Sequence, residues 1–280
     1  MKTNKAKAES YILRAFVYCA AGITVLTLVF ILVYILVKGV PHITPDLFSL
    51  EYNSENASLF PALVNTVLMT LAALILSVPL GIFSAVYLVE YARRGNKLVK
   101  IVRVTSETLS GIPSIIYGLF GYLLFVTYLG WGKSLIAGAF TLAIMILPVI
   151  MRTTEEALIA VPDSFREGSF GLGAGKLRTV FRIILPSAVP GILSGVVLAT
   201  GRIVGETAAL IYTAGTVAQI PTSLFSSSRT LSVHMYALWN EGLQTDKSYA
   251  TAVVLLVLVV GLNALSAFIA KRITKKGGEK

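Results

Sequence analysis

Apolar residues fill the chain in six long blocks that no charged residue interrupts: 15–37, 56–89, 108–132, 134–151, 183–201 and 248–270. A helix needs about 20 residues to cross a bilayer, so the pattern predicts an all-α polytopic membrane protein with six transmembrane helices. The second block is longer than a crossing requires and includes a lead-in before Pro61; the fourth is the shortest. The polar intervals divide the chain into a tail at 1–14, a first helix with an external loop at 15–59, a five-helix unit at 60–270 and a tail at 271–280. Prolines 79, 113 and 148 fall within three blocks and predict a bent, interlocked bundle, because a buried span tolerates proline where neighbours re-satisfy the backbone. No repeat of fixed period is present.

Composition agrees. The 280 residues are 55% hydrophobic and 14% charged, with mean hydropathy +0.79, where soluble domains carry about 25% charge. The net charge of +10 raises the question of nucleic acid, and its distribution answers it. Lys2, Lys5, Lys7 and Arg14, then Arg93, Arg94, Lys97, Lys100 and Arg103, then Arg152, Arg166, Lys176, Arg178 and Arg182, and finally Lys271, Arg272, Lys275, Lys276 and Lys280 occupy alternate intervals. The other intervals hold only Lys38, Lys133, Arg229 and Lys247. The positive-inside rule puts both termini in the cytoplasm. The single cysteine, Cys19, predicts packing within the first span and no disulfide. The polar N-terminal run and long first span, with no small-residue cleavage site, read as a retained helix. His42 and His234 are placed in external loops, His234 as a surface residue. No metal-ligand spacing and no nucleophile–base–acid set is present.

Residues 162–190, PDSFREGSFGLGAGKLRTVFRIILPSAVP, form a charged, glycine-spaced stretch in this apolar setting. Ser164 and Glu167 stand as a capping box, which predicts a helix from Phe165. Thr153 and Glu156 make a second, weaker box. Gly171, Gly173 and Gly175 break the first helix, and a second over 177–184 returns to the membrane, giving a compact knob with Phe165 or Phe170 exposed. Such a segment either lies on the headgroups or docks in a partner's groove. Gly173-Ala174-Gly175-Lys176 is no phosphate-binding loop: Phe170 replaces the first glycine, and Leu177 the Ser or Thr after the lysine.

Glu167, Gly173, Ile183, Leu185 and Pro186 resemble, at matching spacing, the E-A-A-x3-G-x9-I-x-L-P loop of the binding-protein-dependent ABC importer permeases. That resemblance implies a type I importer (MetI-like) permease fold, with ATPase coupling through Arg166, Glu167, Gly168, Ser169, Phe170, Gly173 and Pro186. Gly168 and Ser169 replace the two alanines, and Gly168 weakens the helix by about 1 kcal/mol.

Arg202 and Glu206 are four residues apart near the end of the fifth block. At about 3.6 residues per turn they share a face with Gly191, Gly195 and Ala199, a stripe that permits close helix approach or leaves a passage. A charge in the bilayer core must face a partner or a water-filled cavity. The two residues form either a self-neutralising structural pair or an oxyanion pathway, in which Glu206 holds the Arg202 fork. Ser110–Gly121 likewise either packs the third span closely or offers Ser114 and Tyr117 as donors to the passage.

Residues 111–121 (GIPSIIYGLFG) and 205–215 (GETAALIYTAG), with 221–224 and 233–236, resemble phosphate permeases of the PstA type. The resemblance spans roughly 60–270. It implies a heterodimer with a PstC-like permease, a PstB-like ATPase dimer, a PstS-like phosphate-binding protein and inward phosphate movement by alternating access. ATP and magnesium would sit on the ATPase, with no cofactor and no catalysis on this chain. Permeases for molybdate, sulfate or phosphonate, the PstC-type sister subunit and a passive anion channel stand as alternatives.

Overall fold

The computed structural model describes residues 2–93, 95–242 and 244–278, without the side chains of 2–9, 266 and 269–278. Expectations for Arg94 and Lys280, and for the side chains of Lys2, Lys5, Lys7, Lys271, Arg272, Lys275 and Lys276, lie outside the described residues. The described residues are helical without strands: α1 Lys2–Gly39, α2 Phe60–Val86, α3 Lys97–Ser110, α4 Ser114–Gly121, α5 Leu135–Ile159, α6 Asp163–Gly171, α7 Lys176–Thr179, α8 Leu185–Val204, α9 Ala208–Thr213, α10 Leu231–Glu241 and α11 Thr245–Gly278. Five helical stretches are long and apolar enough to cross a membrane, and a bent pair makes a sixth.

The most buried span is α5, which packs between α2 and α8. Met69, Leu142, Met145, Ile146, Ile150 and Ile203 form the centre of the core. Glycine brings these helices together: a Cβ on Gly81 would stand 2.7 Å from Ile150, and one on Gly191 2.6 Å from Ala157. Four polar core residues bond within their own helix, Thr66, Thr70, Ser77 and Thr141 each donating to the carbonyl four residues back. In contrast, α1 has an 18-residue apolar window with no buried residue; it meets the bundle at its C-terminal end, where Tyr34 lies edge-on to Tyr249 of α11. Cys19 is exposed on α1, so the packing expected for it within the chain is not made. The expected tail at 1–14 is the first part of α1.

The third block is not a straight span. Its apolar run breaks at Gly111-Ile112-Pro113, where α3 and the segment Ser114–Tyr128 meet at a bend of 102°. Pro113 has no N–H to donate and drives Ile112 away from helical geometry. Residues before the break, read as a basic loop, are the amphipathic α3, capped by the Asn96 side chain accepting from the Leu98 N–H at 2.9 Å. The fourth span runs on to Ile159, so Thr153 and Glu156 lie inside a helix and no second box forms.

The polar intervals gather at two opposite ends. At one, Gln244 donates to the Ser54 carbonyl (3.2 Å), Lys247 bonds the Glu55 carbonyl, and Asn65 donates to the carbonyls of Gln219 (2.9 Å) and Arg229 (3.2 Å). At the other, α3 and the end of α5 are tied by Arg103–Glu155 (2.5 Å) and Arg152–Glu107 (3.4 Å), and Lys176 of α7 sits over the Tyr91 ring.

Candidate functional site

The knob has the expected outline with a different start. The helix α6 begins at Asp163 after Pro162, whose fixed φ suits a helix entry, and no side chain caps it. The Ser164–Glu167 box therefore does not form. Gly173, at φ +79°, turns the chain, and the Ala174 N–H closes on the Ser169 carbonyl at 3.1 Å. From Lys176 the chain passes through a π-helical turn at Val180–Ile184 straight into α8, one continuous stretch of 29 residues. The expected second short helix is thus the first part of the fifth span.

Of the residues assigned to coupling, Glu167, Gly168, Phe170, Gly173 and Pro186 are exposed. Around them Leu172 is 91% exposed, with Phe165, Phe170 and Leu177 open as well. Two others face inward. Ser169 is buried and its Oγ meets Thr179 Oγ1 at 2.8 Å, pinning α6 to α7. Arg166 lays its guanidinium on Glu90, Nη2 and Nε reaching Oε1 at 2.7 and 3.1 Å. It also donates to the carbonyls of Leu158 (3.0 Å) and Val161 (2.9 Å) and to Asp163 (3.1 Å). The sequence reading singled out the cations from Arg93 to Arg103 and gave Glu90 no role; a lone carboxylate just before that run was the available signal.

Within the bundle, Arg202 and Glu206 do not pair. Glu206 is buried and its Oε1 accepts from the Ala209 N–H at 3.1 Å, in the first turn of α9, where the helix dipole favours a carboxylate. Arg202 is half-buried in the last turn of α8, with no hydrogen-bond or ion-pair partner among the described residues. Its charge reaches Tyr117 electrostatically. The Tyr117 hydroxyl is already committed, donating to the Leu109 carbonyl at 2.8 Å across the α3–α4 bend. Ser114 is half-buried in the first turn of α4. The small-residue stripe serves close approach, with Gly191 against Ala157 and Gly195 against Thr153. In the same way Gly118 meets α9: a Cβ there would lie 2.7 Å from the Ala209 Cα. The arrangement leaves one guanidinium without a partner, beside the bent α3–α4 segment, at the end of the bundle opposite the knob.

That end also holds a buried cluster. His234, expected at the surface, is fully buried. Arg229 Nη1 donates to its Nδ1 (3.3 Å), so Nε2 carries the proton given to the Ala57 carbonyl (3.2 Å). Tyr52 stands edge-on to the imidazole and stacks under Arg229. Burial first, then the Arg229 charge, lowers the His234 pKa to about 4, against the opposing pull of the Ala57 carbonyl. Ala57 itself sits at φ +42°.

Residues 77–276 match the family model described as binding-protein-dependent transport system inner membrane component. The chain is 33% identical over 276 residues to a probable ABC transporter permease protein, YqgI, of Bacillus subtilis, covering 92% of this chain and 93% of the relative. It is 36% identical to the phosphate transport system permease protein PstA of Mycobacterium leprae (74% of this chain, 69% of the relative). To PstA of Haemophilus influenzae it is 35% identical, covering 76% and 78%. Among solved structures, a bacterial alginate ABC transporter in complex with a pentasaccharide-bound periplasmic protein superposes with TM-score 0.70 at 18% identity, over 97% of this chain and 98% of that one. The MetNI methionine ABC transporter, inward facing, gives 0.59 at 21% identity over 77% and 94%. These likenesses carry the fold, a MetI-type importer permease.

Proposed function

From the premise that the chain belongs to the binding-protein-dependent transport system inner membrane component family, and is therefore a multi-pass transport component and not an enzyme, we propose that it is one permease subunit of an ATP-driven importer of inorganic phosphate. Its kinship in sequence with PstA proteins supports the solute. The observation that carries the coupling is the exposed apolar knob of Phe165, Phe170, Leu172 and Leu177 on a family-typical segment. In this reading the knob is cytoplasmic, as are both termini, and docks in a PstB-like ATPase dimer that holds ATP and magnesium. A PstC-like permease supplies the other half of the pathway, and a PstS-like protein delivers phosphate from outside.

The chain's own residues then act by position. When the ATPases close, the knob moves, and the unbroken helix from Lys176 to Val204 carries that motion to Arg202. An unpaired guanidinium attracts a tetrahedral oxyanion and binds it in a fork. One cation cannot balance a divalent anion, so basic groups of the sister permease share the load. Glu206 stabilises α9 and leaves Arg202 free. The test is labelled-phosphate uptake in a strain lacking this chain, with arsenate, sulfate and molybdate as competitors. Complementation restores phosphate uptake, Arg202→Ala abolishes it with assembly intact, and loss of sulfate or molybdate uptake with phosphate unaffected reassigns the solute.

A further inference from the structure

Two adjoining hollows flank α3, away from both the knob surface and Arg202. One, of about 650 Å³, is lined by Arg93, Lys97, Lys100 and Arg103 over apolar walls that include Leu88 and Val99. The other, of about 690 Å³ and also bordered by α3, is mostly apolar and includes Leu80, Phe83, Tyr87 and Ile101. Leu88 lines both. Arg103 is engaged by Glu155 at 2.5 Å, whereas Arg93, Lys97 and Lys100 have no carboxylate partner among the described residues. Leu98, Ile101 and Val104 are exposed beside them.

We propose that these hollows form a binding site for one anionic phospholipid. Its phosphate is held by Arg93, Lys97 and Lys100, and an acyl chain lies in the groove of Leu80, Phe83 and Ile101. The occupant follows from the juxtaposition: three unbalanced cations call for an anion, and an open groove of hydrocarbon dimensions beside them calls for a chain on the same molecule. A basic amphipathic helix next to a span is the form that anionic headgroups recognise. Free phosphate would satisfy only the first hollow. The site does not depend on which solute the permease carries, so phosphate uptake and lipid binding succeed or fail separately.

The experiment is native mass spectrometry of the detergent-solubilised permease assembly, full-length chain included, titrated with phosphatidylglycerol and with phosphatidylcholine of the same chains. Phosphatidylglycerol is expected to be retained at least tenfold more strongly. Lys97→Ala with Lys100→Ala should remove most of that preference, at roughly fivefold per cation, and Lys97→Arg with Lys100→Arg should preserve it. Both lysines are exposed, and the arginine variant controls for folding. Equal retention of the two lipids, an unchanged preference in the alanine variant, or displacement of phosphatidylglycerol by millimolar inorganic phosphate overturns the proposal.

Discussion

Arg166 and Glu90 join segments far apart in sequence at 2.7 Å, and both side chains are largely buried, 16% and 8% exposed. Because Arg166 also holds the Leu158 and Val161 carbonyls, it fastens the knob to the end of α5 and to the extension of α2 at one point. Removing one partner leaves a buried charge uncompensated, a loss of about 3–5 kcal/mol. Arg166→Ala and Glu90→Ala should each lower the unfolding midpoint of the purified assembly markedly. The double variant should be much less than additive. Additive losses in thermal unfolding would show the pair to be independent.

The exposed face of the knob behaves oppositely. Leu172 is almost wholly exposed, so Leu172→Asp should change thermal stability by about 0.5 kcal/mol or less. Uptake and co-purification of the ATPase should nevertheless be lost. Full retention of both would remove the knob from the energy path.

Two glycines predict opposite signs. Gly118 faces the α9 backbone, so Gly118→Ala forces α4 and α9 apart and costs about 1–3 kcal/mol. Gly168 has open space around it, and Gly168→Ala should stabilise α6 by about 1 kcal/mol. Unfolding midpoints of the two variants measured side by side decide the matter.

His234 makes stability depend on pH. Its folded pKa, about 4, lies below the ordinary 6.5, so the folded state keeps the imidazole neutral while the unfolded chain takes a proton. The contribution is complete above about 6.5 and is lost as pH falls towards 4, about 3 kcal/mol in all. A His234→Gln variant, which has no proton to take, should show a flatter midpoint between those values. A wild-type curve flat across that range would contradict the buried neutral imidazole.

The spans were legible because hydrocarbon thickness fixes their length: α2, α5 and the first helix fall where the uncharged blocks do. The outline of the knob was legible for a different reason, since Gly173 takes a backbone geometry (φ +79°) that few other residues accept. The interior of the site was not. Helical spacing put Arg202 and Glu206 on one face, but the chain leaves the helix at Gly205, and the free N–H groups of α9 draw the carboxylate away. His234 looked like a loop residue because its partners, Ala57 and Arg229, come from two separate polar intervals. The α3–α4 bend was written in Pro113 but masked by the apolar run across it.

The unbroken passage from Lys176 to Val204 has a consequence of scale. At about 1.5 Å per residue its 29 residues make a rod of roughly 43 Å, and a tilt of only 10° or so at one end sweeps the other through about 7 Å. Under the proposed function, gearing of that kind would let a modest rocking of a soluble motor displace the Arg202 charge by more than the width of the ion it would attract.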